Sequence, residues 1–326
     1  MHHLVFVSFI SLVSCIHCED VFRIVSAELV RPKSLGIDKH NKLITDYWTS
    51  DVMASAVPVK NSPPENSPRS GKVFTKILLK GQKHFIAGTL PTTNKLKKAL
   101  KPNVSPASVG RVFWTSDSFN YYCSASVITS NNKNLIITAG HCCYDTGTKS
   151  FTVNKQWIFV PQYNNGNAPY GQWVGQSQHV LDGWLSQQNV NADVCMCILS
   201  TNNGKRISKV VGSQGIGWNY SNLNYIYSFG YPYNINNGQI MSYCATKTVA
   251  PLLTAGADHK GQRILCTMSQ GCSGGPWLKN FSTSTGLGIV ISVNSFAIEG
   301  ISGYLYGPYF DNSVMSLYNH CQNKQW

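Results

Sequence analysis

Val109-Gly110-Arg111-Val112-Phe113-Trp114 alternates small or polar with bulky side chains, the two-residue period of a β-strand. Similar short runs rich in β-branched residues follow it. They are Ser124–Ile128, Asn134–Thr138, Trp157–Val160, Val194–Leu199, Tyr225–Phe229 and Gly288–Val293. Turn-forming residues separate them, drawn from 27 Gly, 14 Pro and many Asn and Ser. Many short strands with regular punctuation predict an all-β barrel or sandwich rather than a helical bundle. One helix is expected at the end, over about 313–321. Val314, Leu317, Tyr318 and Cys321 recur there at helical spacing, with Asn312 or Ser313 as the cap.

Upstream of this β-rich part the texture changes. Leu4 to Val13 is apolar apart from Ser8 and Ser11, the length of a secretory h-region, so residues 1–18 are expected to be a signal peptide. Residues 19–108 hold one Trp and no Cys. They include a Pro/Ser-rich stretch, Val57 to Ser70, and a Lys-rich one, Lys95 to Lys101, both of linker character. This segment is expected to be a largely irregular pro-region that is cut away from a zymogen. It carries 15 basic and 7 acidic residues, against 12 and 7 from Val109 onward, so most of the net charge of +13 lies in it. With no helix-turn-helix, zinc-finger or RNA-binding signature, the charge reads as a solvated leader, and nucleic acid is not expected as a partner. No apolar run reaches the roughly 18 residues of a membrane span.

Of 11 cysteines, Cys15 and Cys18 leave with the signal, and the remaining nine leave at least one thiol outside an intrachain pair. Among those nine no Cys-x-x-Cys pair occurs, so disulfides in an exported protein are favoured over a zinc site. Three glycosylation triplets, at Asn103, Asn219 and Asn280, agree with export.

Three segments carry chemistry: Thr138-Ala139-Gly140-His141-Cys142, Asp193-Val194-Cys195-Met196-Cys197 and Gly271-Cys272-Ser273-Gly274-Gly275-Pro276. A serine hydroxyl is a poor nucleophile near neutral pH and needs a base, for which imidazole has about the right pKa. The imidazole needs a carboxylate to fix its tautomer and stabilise its charge. Attack on a carbonyl creates an oxyanion that needs preorganised donors, here the N–H groups of Gly271 and Ser273. His141, Asp193 and Ser273 follow in that order, about 50 and then about 80 residues apart. Asp145 and Asp182 are rival acids. Asp145 lies four residues from His141 and lacks a following apolar strand.

These motifs resemble those of the chymotrypsin/trypsin superfamily of serine proteases. The likeness spans Val109 to Trp326 and is greatest to the secreted glutamyl-endopeptidase-like branch. The residues that carry it are Val109–Phe113, Cys123–Val127 leading into Thr138–Cys142, the Asp193 strand, and Gly271 to Trp277. The resemblance implies two six-stranded antiparallel barrels, at about 109–207 and 208–312, with the active site between them. His141 and Asp193 would come from the first barrel and Ser273 from the second. It further implies the disulfide Cys123–Cys142, and Cys244–Cys266 is a reasonable second bridge. The pairing of Cys143, Cys195, Cys197, Cys272 and Cys321 stays open, and a bridge from Cys143 to the Asp193 strand would tie base to acid.

Two departures stand out. Cys272 occupies the place where trypsin-like enzymes carry an acid that pairs with a freed N-terminal amine. Cysteine does not supply that charge unless ionised. Thr267 stands where trypsin-like enzymes have their pocket acid, and the strand Ile289–Asn294 lacks the histidine of glutamyl endopeptidases. Thr267, Met268, Ser292 and Asn294 are therefore expected to line an uncharged substrate pocket. The resulting expectation is a secreted, monomeric serine endopeptidase acting on proteins or peptides through an acyl-enzyme, subject to protease inhibitors and needing no metal or organic cofactor. The alternative is a catalytically silent secreted binding protein on the same fold.

Overall fold

A computed structural model describes residues 22–59, 81–92, 105–116, 119–251, 260–298 and 302–325. The signal segment, Asn103, most of the Pro/Ser-rich stretch and the Lys-rich stretch lie outside these residues.

The strands in chain order are β1 (Ile24–Glu28), β2 (Val57–Pro58), β3 (His84–Ile86), β4 (Val109–Thr115), β5 (Asn120–Val127) and β6 (Leu135–Thr138). They continue with β7 (Tyr144–Asp145), β8 (Ser150–Phe151), β9 (Ile158–Pro161), β10 (Trp173–Leu181), β11 (Cys195–Leu199) and β12 (Gly215–Trp218). The last six are β13 (Tyr225–Gly230), β14 (Ser242–Val249), β15 (Gln262–Leu265), β16 (Pro276–Ser282), β17 (Leu287–Val293) and β18 (Tyr304–Gly307). The α-helices are α1 (Ile37–Tyr47), α2 (Ser50–Ser55), α3 (Asp182–Gln187), α4 (Ile207–Val211) and α5 (Asn312–Cys321).

Strands β10, β11, β6, β5, β4 and β9 pair in that order, and β9 pairs back to β10, which closes a six-stranded antiparallel barrel. The second sheet runs β18-β15-β14-β13-β16-β17-β12-β3; its pairs are antiparallel except β12–β17, which is parallel where an all-antiparallel barrel is expected. Alternate positions of the strands fill the two interiors, such as Val112, Ile136 and Leu199 in the first and Ile264, Trp277 and Ile291 in the second, while Ile137, Val194 and Ile198 face outward from the first barrel and pack against Leu278, Val290 and Leu317. The fold is that of the chymotrypsin-like two-barrel proteins, with a small C-terminal helix. That helix is capped one residue earlier than expected: Asp311, not Asn312 or Ser313, accepts from the Ser313 amide at 2.8 Å.

The described residues before Val109 are more regular than the composition suggests. Strand β1 adds to the barrel edge along β10, and β2 pairs in parallel with β5. Strand β3 pairs with β12 of the other sheet. Trp48, between α1 and α2, is 1% exposed and packs against Phe113, with ring centroids 5.3 Å apart. Its indole N–H donates to the Gln156 carbonyl at 2.6 Å. The segment is ordered because a large aromatic side chain and Ile44, Met53 and Ala56 find an apolar surface on the barrel.

Three disulfides staple the structure: Cys123–Cys142, Cys143–Cys195 and Cys244–Cys266. Cys197, Cys272 and Cys321 are buried thiols.

Candidate active site

His141 sits in a short 3-10 turn, Gly140–Cys142, just after β6, and Asp193 stands two residues before the start of β11. Because β6 and β11 are antiparallel partners with Thr138 opposite Cys195, 52 residues of separation collapse to neighbours. The Asp193 carboxylate, fully buried, takes the His141 backbone N–H at 2.8 Å and faces ring Nδ1 at 2.9 and 3.2 Å. The disulfide Cys143–Cys195 closes the same junction from both sides. Burial pushes the Asp193 carboxyl up. The imidazole beside it and hydrogen bonds from His141 and Ser295 outweigh that and hold it below its ordinary value. Asp193 is therefore an ionised acceptor that fixes the ring by Nδ1 and leaves Nε2, itself buried, on the opposite side of the ring.

The rival acids are engaged elsewhere. Asp145 accepts from the amides of Gly147 and Thr148 in its own turn, and Asp182 lies 3.9 Å from Arg23.

Ser273 lies in the turn between β15 and β16, and strand β5 holds it beside the turn that carries His141. The Ser273 carbonyl accepts from the Ser124 amide at 2.7 Å and lies 3.9 Å from Cys142 Sγ, next in chain to His141. The Ser124 hydroxyl donates to the Gly271 carbonyl at 2.8 Å, which fixes the peptide on the other side of the Ser273 turn. The N–H groups of Gly271 and Ser273 donate to no backbone acceptor among the described residues. The Cys272 thiol is fully buried, and burial pushes its pKa up to about 12, so it is neutral near pH 7.

Ser295 was not anticipated. It follows β17 and donates to Asp193 Oδ2 at 2.5 Å, adding a donor from the second sheet to an acid of the first. No local pattern marks it. Only the need of a buried carboxylate for several donors points to such a residue.

A cavity of about 320 Å³ lies beside the Ser273 turn. Thr267 and Met268 line it, with Ser269, Ala297, Ile298 and Tyr304, and no charged side chain does so among the described residues. Ser292 and Asn294 are not in its lining. The Ser292 hydroxyl donates to the Pro308 carbonyl. The Asn294 amide accepts from the Trp277 indole and Ser228 and donates to the carbonyls of Phe229 and Cys272. Both are buried with their polar atoms committed to the frame of the site.

Two groups bring sulfur and imidazole atoms within 4.8 Å of one another: Cys123, His141 and Cys142, and Cys143, Cys195 and Cys197. Four of those five cysteines are bonded in disulfides and offer no thiolate, so neither group is a donor set for zinc. No described helix is long and apolar enough to cross a membrane.

No protein-family profile and no curated protein sequence matches the chain. Solved structures do. The chain is similar to the protease Anisep from Arthrobacter nicotinovorans, with 34% identity and a TM-score of 0.61 over 68% of this chain and 98% of that one.

The chain belongs to the chymotrypsin-fold serine proteases.

Within that family it also resembles a thermostable serine protease, AL20, from an extremophilic microorganism. Identity is 26% and the TM-score 0.60, over 67% of this chain and 98% of that one. A Glu endopeptidase shares the fold, with 17% identity and a TM-score of 0.52 over 73% of this chain and 98% of that one. Each of these structures covers 67–73% of the chain.

Proposed function

We propose that this protein is a secreted serine endopeptidase that cleaves peptide bonds through an acyl-enzyme. The observation that carries the reading is the Asp193 carboxylate held at 2.9 Å from His141 Nδ1 at the β6–β11 pair, with the Ser273 turn fixed to the neighbouring strand β5. His141 Nε2 takes the Ser273 hydroxyl proton as Oγ bonds to the substrate carbonyl carbon. The carbonyl oxygen becomes an oxyanion held by the amides of Gly271 and Ser273. The C–N bond then breaks and His141 returns the proton to the leaving amine. Water repeats the sequence on the acyl group and frees Ser273. Asp193 keeps the imidazole in the right tautomer and stabilises the imidazolium, helped by Ser295.

That no charged side chain lines the cavity among the described residues supports a preference for an uncharged side chain before the scissile bond. The neutral thiol at Cys272 supports a maturation that uses no amine–carboxylate switch. The burial of Trp48 supports an N-terminal segment that braces the barrel and stays bound after any cut between it and Val109. Three disulfides support export, and Asn280, exposed on β16, is an accessible glycosylation position. Asn219 is less so, because its side-chain amide already donates to Gln82 and Asn312. A monomer acting on protein or peptide substrates, and open to protease inhibitors, completes the proposal.

The test is cleavage of a peptide library by the full chain and by Ser273→Ala. Hydrolysis after uncharged residues, abolished in the variant, is expected. Equal cleavage by both, or strong preference for Arg or Lys, would overturn the assignment.

A further inference from the structure

Arg111 is completely buried, yet it belongs to none of the ion pairs among the described residues. Its guanidinium carbon lies 3.5 Å from the centre of the Tyr122 ring, 4.4 Å from that of Tyr163 and 4.7 Å from that of Phe113. One Nη donates to the Gly238 carbonyl at 3.0 Å. Nε and the other Nη make no hydrogen bond. Burial lowers its pKa to about 10, which still leaves it charged near pH 7. A buried cation without a carboxylate is costly, and aromatic faces offset only part of that cost.

The register explains where this charge points. Arg111 is opposite Ser124 and Phe113 opposite Tyr122 in the β4–β5 ladder, so all four side chains share one face. Ser124 from that face fixes the carbonyl of Gly271 through its hydroxyl and that of Ser273 through its amide. Tyr122 from the same face fills the gap between Gly238 and Gly271, whose φ values are +68° and +90°. A side chain at either glycine would collide with the Tyr122 ring or hydroxyl. The stack therefore runs from the guanidinium through the Tyr122 ring to the turn that carries the proposed oxyanion donors. Cys272, inside that turn, supplies no charge of its own.

We propose that Arg111 is a positioning residue for the oxyanion site, acting through Tyr122 and Gly238 to hold the Gly271–Ser273 turn and to bias it toward negative charge. The inference rests on the reading of Ser273 as nucleophile. It requires the Arg111 cation to matter more in the transition state, where charge develops on the substrate oxygen, than in the ground state.

The test uses the full chain and compares wild type with Arg111→Met and Arg111→Lys. Three quantities are measured: the kcat and KM split on a peptide substrate, the affinity for a peptide boronate, and that for a reduced-bond peptide. The boronate forms an anionic tetrahedral adduct with the nucleophile, whereas the reduced-bond peptide has no carbonyl to bear charge. Arg111→Met is expected to lower kcat and boronate affinity about 10-fold each, with KM and reduced-bond peptide affinity within about twofold. Arg111→Lys is expected to stay within about threefold of wild type in all three. Unchanged kcat and boronate affinity in a folded Arg111→Met would overturn the inference, as would equal weakening of both ligands. If Arg111→Met does not fold, Arg111→Lys decides: a variant with wild-type Tm that loses tenfold or more in kcat contradicts a role for the charge. A folded wild type that neither turns over substrate nor binds the boronate fails the underlying reading instead.

Discussion

At the scale of single residues, the chemistry of the site is set by what surrounds Asp193. A carboxylate with no solvent contact is stable only if donors outweigh its desolvation. Here the His141 amide, the His141 ring and the Ser295 hydroxyl do so. Asp193→Asn is expected to reduce kcat by about 10⁴-fold at neutral pH with the fold intact, because the amide stabilises the wrong imidazole tautomer. Ser295→Ala removes one hydrogen bond to a charged group, worth about 1.5–3 kcal/mol, and is expected to lower kcat by about 10- to 100-fold with little change in KM. Steady-state kinetics on purified variants checks both. His141, Asp193 and Ser273 could be read from the sequence as the proposed base, acid and nucleophile because each stands in a glycine- or strand-specific context. Ser295, Tyr122 and Arg111 were invisible because their roles come from register across strands. The same holds for Ser292 and Asn294, whose place beside the motif suggested a pocket while their side chains serve the frame.

At the scale of elements, hydrophobic alternation identified β4, β5, β6, β9, β11, β13 and β17 within a few residues. It missed β10, whose Gln176, Ser177, Gln178 and His179 are all buried and polar, held by partners that no local pattern shows. His179 illustrates the consequence. It sits between the Ser26 and Ser177 hydroxyls at 2.6 and 2.8 Å. Burial, with Lys324 and His320 nearby, lowers its pKa to about 3. The unfolded chain takes up a proton at His179 near its ordinary pKa of about 6.5, and the folded protein does not. Stability from this site is thus complete above about pH 6.5 and falls as the pH drops toward 3. Thermal melts from pH 7 to pH 4 are expected to show a falling Tm, with a shallower slope in His179→Gln. The disulfide Cys143–Cys195 closes 52 residues, and chain-entropy reasoning assigns it about 4 kcal/mol. The paired substitution of both cysteines by Ala is expected to lower the urea midpoint accordingly.

At the scale of the whole molecule, composition foretold a basic leader and a β-rich body, and the body has the two-sheet architecture that its motifs implied. Composition did not foretell that the leader's described residues would pack on both sheets. A low-cysteine, Pro- and Lys-rich segment masks one well-placed Trp and a few aliphatic residues. Trp48→Ala is expected to destabilise the protein by about 3–5 kcal/mol, a cost typical of an emptied aromatic core site. Native mass spectrometry of a sample cut between residues 92 and 105 is expected to retain the N-terminal fragment, and its loss under native conditions would refute the bracing role. The central claim, that Ser273 is activated by His141 and Asp193, is tested most directly by fluorophosphonate labelling of the folded full chain with the adduct mapped by peptide mass spectrometry. The account predicts one adduct, on Ser273, absent in Ser273→Ala and strongly reduced in His141→Ala. A folded protein that takes up no label, or takes it up at another residue, would contradict it.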